Sequence, residues 1–175
     1  AKSVFVDIDP ETYNIDAKKI EEKITKKTKL IIATSIFGQC PQMDEINAIA
    51  QKHSLPVIED AAQSLGAIYK GKKSCNLTSI GCTSFFPSKP LGCYGDGGAC
   101  FTNDQELYEK ISELRLHGQS KGTRYKHNRI GINGRLDTIQ AAILLAKLEI
   151  FENELKSRSE IGNKYTKLIE EKSAK

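Results

Sequence analysis

A chain of 175 residues, 39% hydrophobic and 27% charged, is long enough to bury one real core and has the composition of an ordinary globular protein. No apolar run approaches membrane-spanning length and the first residues lack the charged-then-apolar order of a signal peptide, so a cytoplasmic protein without a membrane partner is expected. The net charge of +4 is spread among acidic residues, with no interleaving of basic and aromatic side chains, which argues against a nucleic-acid module.

In chain order the pattern alternates strand and helix. Residues 3–7 read as a short strand, residues 16–25 have helical periodicity through Ile20 and Ile24, and residues 29–34 form a buried strand rich in Leu and Ile. Residues 43–52 read as a helix with Ile46, Ile49 and Ala50 on one face and Asp44 and Glu45 favouring its start. A strand at 56–59 follows. Strands separated by helices of this length imply βαβ crossovers and a mainly parallel sheet covered on both faces, so the expected class is α/β in three layers, α/β/α.

Past Gln63 the period changes. Residues 67–69 and 82–86 read as short strands, with Lys70, Lys72 and Lys73 around Gly71 marking a solvated hairpin turn, and 99–102 reads as a further strand. Asn103 and Asp104 cap a helix over 105–116 with Leu107, Ile111 and Leu114 inward, and His117 with Gly118 ends it. Residues 119–128 are polar, basic and unpatterned, which makes them the predicted mobile loop. From Leu136 onward Ile139, Ile143, Ala146 and Ile150 share one stripe, while Leu144, Leu148, Phe151 and Leu155 widen it, predicting a helix buried on more than one side, at the large domain's edge and a subunit interface in a full enzyme, with its apolar surface along residues 136–155 exposed in this chain alone. Residues 157–175, amphipathic through Ile161, Tyr165, Leu168 and Ile169, continue as helix.

The five cysteines, Cys40, Cys75, Cys82, Cys93 and Cys100, are odd in number and nowhere at C-x-x-C spacing, so they signal neither a disulfide framework nor a metal site. They read as reduced, mostly buried thiols. Cys93, among glycines, has no evident neighbouring base to make it a nucleophile. His53 reads as a surface residue at a helix end.

Two places concentrate chemistry. The strand at 56–59 delivers Glu59 and Asp60 to its carboxyl end, where open α/β sheets place their ligands, and Glu59 points to the opposite face in a structural role. The run ending Ser84-Phe85-Phe86 delivers Pro87-Ser88-Lys89-Pro90, followed by Gly92, Gly95, Gly97 and Gly98. The two prolines restrict the backbone around Lys89. A lysine is protonated at neutral pH and becomes a nucleophile only when desolvated or set near positive charge; the plain alternative is a surface lysine in a Pro-rich turn. For Asp60 the plain alternative is a helix N-cap. Together, an amine and a strand-end acid are the two groups a pyridoxal phosphate enzyme needs, one to hold the cofactor and one to partner its ring nitrogen. The glycine loop has neither P-loop nor dinucleotide spacing and serves close passage of backbone beside the lysine loop.

At Val57-Ile58-Glu59-Asp60-Ala61-Ala62-Gln63, Ser84-Phe85-Phe86-Pro87-Ser88-Lys89, Gly95-Asp96-Gly97-Gly98, His117-Gly118 and the stretch from Gly131-Ile132-Asn133-Gly134-Arg135 to Ala142, the chain resembles the DegT/DnrJ/EryC1/StrS sugar-nucleotide aminotransferases, which are fold type I pyridoxal phosphate enzymes. Gly134 departs from the Ser or Tyr of many relatives but leaves Asn133 and Arg135 in register. Ser35 to Cys40, Ser74 to Leu77 and Lys89 to Tyr94 resemble the branch that aminates C3 of a UDP-linked 2-acetamido-3-oxo-glucuronic acid. The resemblance implies a homodimer using L-glutamate and a UDP-sugar, with pyridoxal 5'-phosphate held by Lys89 and no metal. Asp60 would pair the ring nitrogen, Gln63 the cofactor's 3-oxygen and Ser84 its phosphate, while Asn133 would reach the neighbouring subunit's phosphate. Gln63 and Ser84 would otherwise satisfy local backbone groups. Arg135 is read either as a clamp on a carboxylate of glutamate or a uronic acid, or as half of a salt bridge.

Family members begin before residue 1 with a segment that binds the cofactor phosphate and continue past residue 175 into a smaller domain. The resemblance therefore implies that residues 1–156 are the central part of a large domain and 157–175 a helix leading toward a small one. It also implies that this chain alone is inactive, a fragment unable to hold the cofactor. A sugar dehydratase of the same family would carry histidine in place of Lys89.

Overall fold

Three aliphatic runs become neighbours in the sheet. In the computed structural model, which describes residues 1–120, 122 and 125–173, strands β1 (Ile31–Thr34), β2 (Val57–Asp60) and β5 (Ile80–Ser84) run parallel, and β6 (Gly98–Phe101) closes the row antiparallel to β5, in the order β1-β2-β5-β6. The β1-to-β2 crossover is helix α1 (Met43–Lys52), and the β2-to-β5 connection carries the small hairpin β3 (Ile68–Tyr69) and β4 (Lys72–Lys73). Lys70 and Gly71 both have positive φ there, as a tight two-residue turn requires. The fold is α/β with a mainly parallel sheet, as the alternation predicts.

Side-chain alternation gives the sheet two faces. Ile31, Ala33, Val57, Glu59 and Thr83 are buried on one, where α1 lays Met43, Ile46 and Ala50, spaced for one helical stripe. Ala17, Ile20 and Leu77 complete this core cluster. The other face carries Ile32, which is 55% exposed, with Thr34, Ile58, Asp60, Cys82 and Ser84 half-buried beside it.

Several expected elements change form. Residues 3–7 are not a strand: Val4 and Phe5 stand exposed, and the segment's only described pairing is the isolated Ile8–Ile15 bridge. A strand exists only through a paired ladder. The helix expected at 16–25 is instead two 3-10 turns, Ala17–Lys19 and Glu21–Lys23, the first capped by Asp16. So short a segment is not self-sustaining as an α-helix, and the bend at Ile20 lets both Ala17 and Ile20 reach the core.

Helix α2 (Gln105–Arg115) starts as predicted, with the Leu107 amide donating to the Asp104 carboxyl at 3.0 Å. None of its residues is buried, however, and Leu114 is exposed, so it lies on the surface. His117 and Gly118 take positive φ, and the Gly118 amide reaches the Glu113 carbonyl to close the helix end. The predicted mobile loop includes residues 121, 123 and 124, which lie outside the described residues; around them Gln119 bridges His127 and the Ser120 amide donates to the Lys126 carbonyl.

The predicted helix from Leu136 onward and its continuation form α3 (Thr138–Ser173), a single helix of 36 residues. Only Leu144 and Phe151 are buried, while Ile139 is 73% and Ile150 52% exposed. The helix touches the body along one seam, with Leu136, Ile143 and Leu155 flanking the buried pair, and is not buried on more than one side. Residues 174 and 175 of the predicted helical tail lie outside the described residues. Among the described residues no helix is long and apolar enough to cross a membrane.

Candidate active site

Parallel strands bring their carboxyl ends to one edge, and that edge gathers Thr34, Asp60 and Ser84 as the last residues of β1, β2 and β5. Asp60 stands in register with Thr34 on one side and Cys82 on the other. Its Oδ1 accepts the Ala62 amide at 3.1 Å, and the Thr34 hydroxyl approaches its Oδ2 at 3.5 Å. The carboxyl is thus an acceptor fixed by its own turn, half-buried on the less covered face. Glu59 takes the opposite face as predicted, fully buried, with one oxygen accepting the Leu77 amide and the other unpaired. Burial pushes its carboxyl above the usual range, against the pull of the Cys75 and Leu77 amides.

Lys89 sits on the loop that leaves β5 and returns as β6. The loop is closed at its base by the Phe85 amide donating to Gly97, and higher up by the Cys93 amide donating to Phe85, both 2.8 Å. At its tip the Lys89 amide donates to the Phe86 carbonyl at 2.9 Å. The chain doubles back so tightly that a Cβ on Gly92 would sit 2.5 Å from the Pro87 carbonyl oxygen. Lys89 is half-buried, and among the described residues its ammonium makes no hydrogen bond or ion pair. Cys93 is completely buried, its thiol between the Phe85 and Gly95 carbonyls, a structural position.

Ser84 accepts the Phe86 amide on its hydroxyl oxygen at 3.2 Å, which leaves its own proton free to donate. Gln63, three residues past Asp60, is exposed and its side-chain amide is unengaged among the described residues. Asp60, Gln63, Ser84 and Lys89 therefore occupy the strand-end turns of two adjacent strands. Asn133 and Arg135 are not with them: both are exposed, on the segment between α2 and α3, and the Arg135 Nε donates to the Asn133 side-chain oxygen at 3.1 Å. Arg135 makes no salt bridge among the described residues, and its bond to Asn133 uses only the Nε–H, leaving the four N–H donors of the two terminal nitrogens.

Two contacts were not legible beforehand. The Lys147 ammonium of α3 donates to the Gly92 carbonyl at 2.6 Å, and Gln140, two turns earlier, accepts the Tyr94 amide at 2.8 Å. Both lie on the loop that carries Lys89. The only sequence signal was two polar residues, Gln140 and Lys147, in the same seam as Leu144 and Phe151. The cysteines are all free, but they are less buried than expected: only Cys75 and Cys93 are buried, and Cys100 is exposed. Cys82 and Cys100 face each other across β5 and β6 with sulfurs 3.7 Å apart, and burial, with Cys100 and Asp60 nearby, pushes the Cys82 thiol up to about 12. His53 ends α1 and meets Glu21 at 2.7 Å.

The DegT/DnrJ/EryC1/StrS aminotransferase family matches residues 1–175. The chain is 62% identical over 165 residues to the UDP-2-acetamido-2-deoxy-3-oxo-D-glucuronate aminotransferase of Pseudomonas aeruginosa, covering 94% of this chain and 45% of that protein. It overlays the crystal structure of a DegT DnrJ EryC1 StrS aminotransferase from Brucella abortus with a TM-score of 0.91 at 44% identity, over 98% of this chain and 48% of that one. NtdA from Bacillus subtilis, solved with bound cofactor PMP, overlays at a TM-score of 0.75 and 38% identity, over 81% of this chain and 32% of that one. The chain thus spans about half the length, or less, of the proteins it matches.

Proposed function

The chain belongs to the DegT/DnrJ/EryC1/StrS aminotransferase family, and on that premise we propose that it serves the transfer of an amino group, from L-glutamate, to a keto-sugar nucleotide, using pyridoxal 5'-phosphate. The observation that carries this reading is the sharing of one sheet edge by the amine of Lys89, unpaired among the described residues, and the Asp60 carboxyl. The donor set fits the cofactor: an amine and a side-chain amide without a partner among the described residues, an acid whose oxygens are held by a turn amide and a hydroxyl, and a serine whose proton can donate. When bound, pyridoxal phosphate supplies the electron sink that stabilises a carbanion at the carbon losing or gaining its proton.

The chain's own residues supply the rest. Lys89 would hold the cofactor through its amine and, as a free amine, would take up the substrate's proton as general base and return it as general acid. Asp60 keeps the ring nitrogen protonated. Ser84 donates toward the phosphate and Gln63 toward the ring oxygen. The UDP-linked 2-acetamido-3-oxo-glucuronate is the proposed acceptor, by likeness to the Pseudomonas aeruginosa enzyme. Homodimerisation, with Asn133 serving the partner's site, and a cytoplasmic location complete the reading.

Borohydride reduction of the full-length protein with pyridoxal phosphate, followed by peptide mapping, tests it. The mass increment is expected on Lys89; its appearance on any other lysine overturns the assignment.

A further inference from the structure

We propose that Lys147 is a positioning residue for Lys89, holding the lysine loop in its closed form from the side of α3; the inference rests on the reading of Lys89 given above. Residues 86–95 have no regular secondary structure of their own, so their shape is set by what they are tied to. Three internal hydrogen bonds close the loop, but all lie within it and its own base and leave its place on the protein undetermined. Among the described residues, the side-chain hydrogen bonds that tie the loop to another element come from one helix. Leu91 and Cys93 are buried with Leu144 and Phe151, and the same seam carries Lys147 on the Gly92 carbonyl, between those two residues, and Gln140 on the Tyr94 amide, one turn before Leu144.

Of these ties the Lys147 bond is the strongest by type, a charge-assisted hydrogen bond to a carbonyl inside a half-buried contact. Its ammonium also lies 5.0 Å from the centre of the Tyr94 ring, a second attraction to the same loop. No carboxylate competes for it among the described residues. Gly92 is the point where the pull acts most directly, because its chain packs against the Pro87 carbonyl across the loop, with Lys89 between them in sequence. Released from Lys147, Gly92 is free to leave Pro87, and Lys89 loses its fixed place relative to Asp60.

Two readouts test this in the full-length protein carrying Lys147→Met, which keeps the apolar stem, or Lys147→Arg, which keeps the charge. Amide hydrogen exchange without cofactor should show Cys93 and Tyr94 exchanging about tenfold faster in Lys147→Met, with the β1 and α1 amides unchanged and Lys147→Arg near wild type. Borohydride trapping of pyridoxal phosphate on Lys89 should slow by a similar factor in Lys147→Met and recover in Lys147→Arg. Wild-type exchange and trapping in Lys147→Met overturns the proposal. So does faster exchange spread evenly through α1 and β1, which would mark a merely structural role; should Lys147→Met not fold, Lys147→Gln is read by the same criteria. A wild-type protein that traps no cofactor on Lys89 defeats the functional reading separately, since the exchange result does not involve the cofactor.

Discussion

The molecule has two cores built by different rules. The first joins β1, β2 and α1, and most of its members come from elements with a regular side-chain period: Ile31 and Ala33 two apart on a strand, Met43, Ile46 and Ala50 three and four apart on a helix. The second joins Phe85, Leu91 and Cys93, which follow β5 into an irregular loop, to Leu144 and Phe151 of α3. The first core makes a platform whose strand ends fix Asp60. The second fastens the loop that carries Lys89, so the two proposed catalytic groups are held by two different cores.

The largest effect that separates stability from chemistry should come at Lys89. In the full-length protein Lys89→Ala is expected to lower turnover by about a thousandfold or more while the thermal midpoint stays at the wild-type value, because among the described residues the ammonium makes no hydrogen bond or ion pair. A fall in the midpoint would show that Lys89 contributes to the second core. Asp60→Asn keeps shape and removes charge, and should cost about a hundredfold in turnover with cofactor still bound; near-wild-type activity would mean that another acid serves the ring.

Within the cores, Ile46→Ala should cost about 2–5 kcal/mol by denaturant unfolding, since Ile46 is wholly enclosed by rigid elements. Leu144→Ala should fall near the lower end of that range, about 2 kcal/mol, because α3 can shift toward the gap from its single seam. Equal losses would mean the second core is as rigid as the first.

The smallest effect is a pH dependence within the first core. Burial raises the Glu59 carboxyl, so the folded state holds that proton more tightly than the unfolded chain does. The contribution is complete below the unfolded carboxyl's ordinary value and is lost as pH rises through the raised folded value. Thermal midpoints measured from pH 4 to 8 should therefore fall faster for wild type than for Glu59→Gln; parallel curves would show that folding does not shift the Glu59 carboxyl.

The same division explains what could be read from the sequence. The bounds of α1, the βαβ unit, the opposite facing of Glu59 and Asp60 and the hairpin at Gly71 all follow from local period or turn chemistry, which a single sequence carries. The candidate pair Lys89 and Asp60 was visible for the same reason, as both follow strand-like runs. The grip of Lys147 on Gly92 joins residues 55 apart in sequence, and no period records it. The exposure of Ile139 and Ile150 matches the apolar surface expected along residues 136–155 of this chain alone: an apolar stripe says which residues prefer burial, and the neighbour that would bury them is a separate matter.

The register that sets Asp60 beside Cys82 and Cys82 beside Cys100 also offers a spectroscopic handle. Cys100 is the exposed thiol of the five, while burial holds Cys75 and Cys82 up at about 12 and raises Cys40, and the Cys93 sulfur is enclosed between carbonyls. A maleimide dye or nitroxide should therefore attach at that one sulfur without any cysteine being engineered away. The label would ride on the outer strand, two strand spacings or about 10 Å from the Asp60 backbone. From there its emission or line shape would report ligand arrival at the sheet edge while leaving Lys89 and its loop untouched.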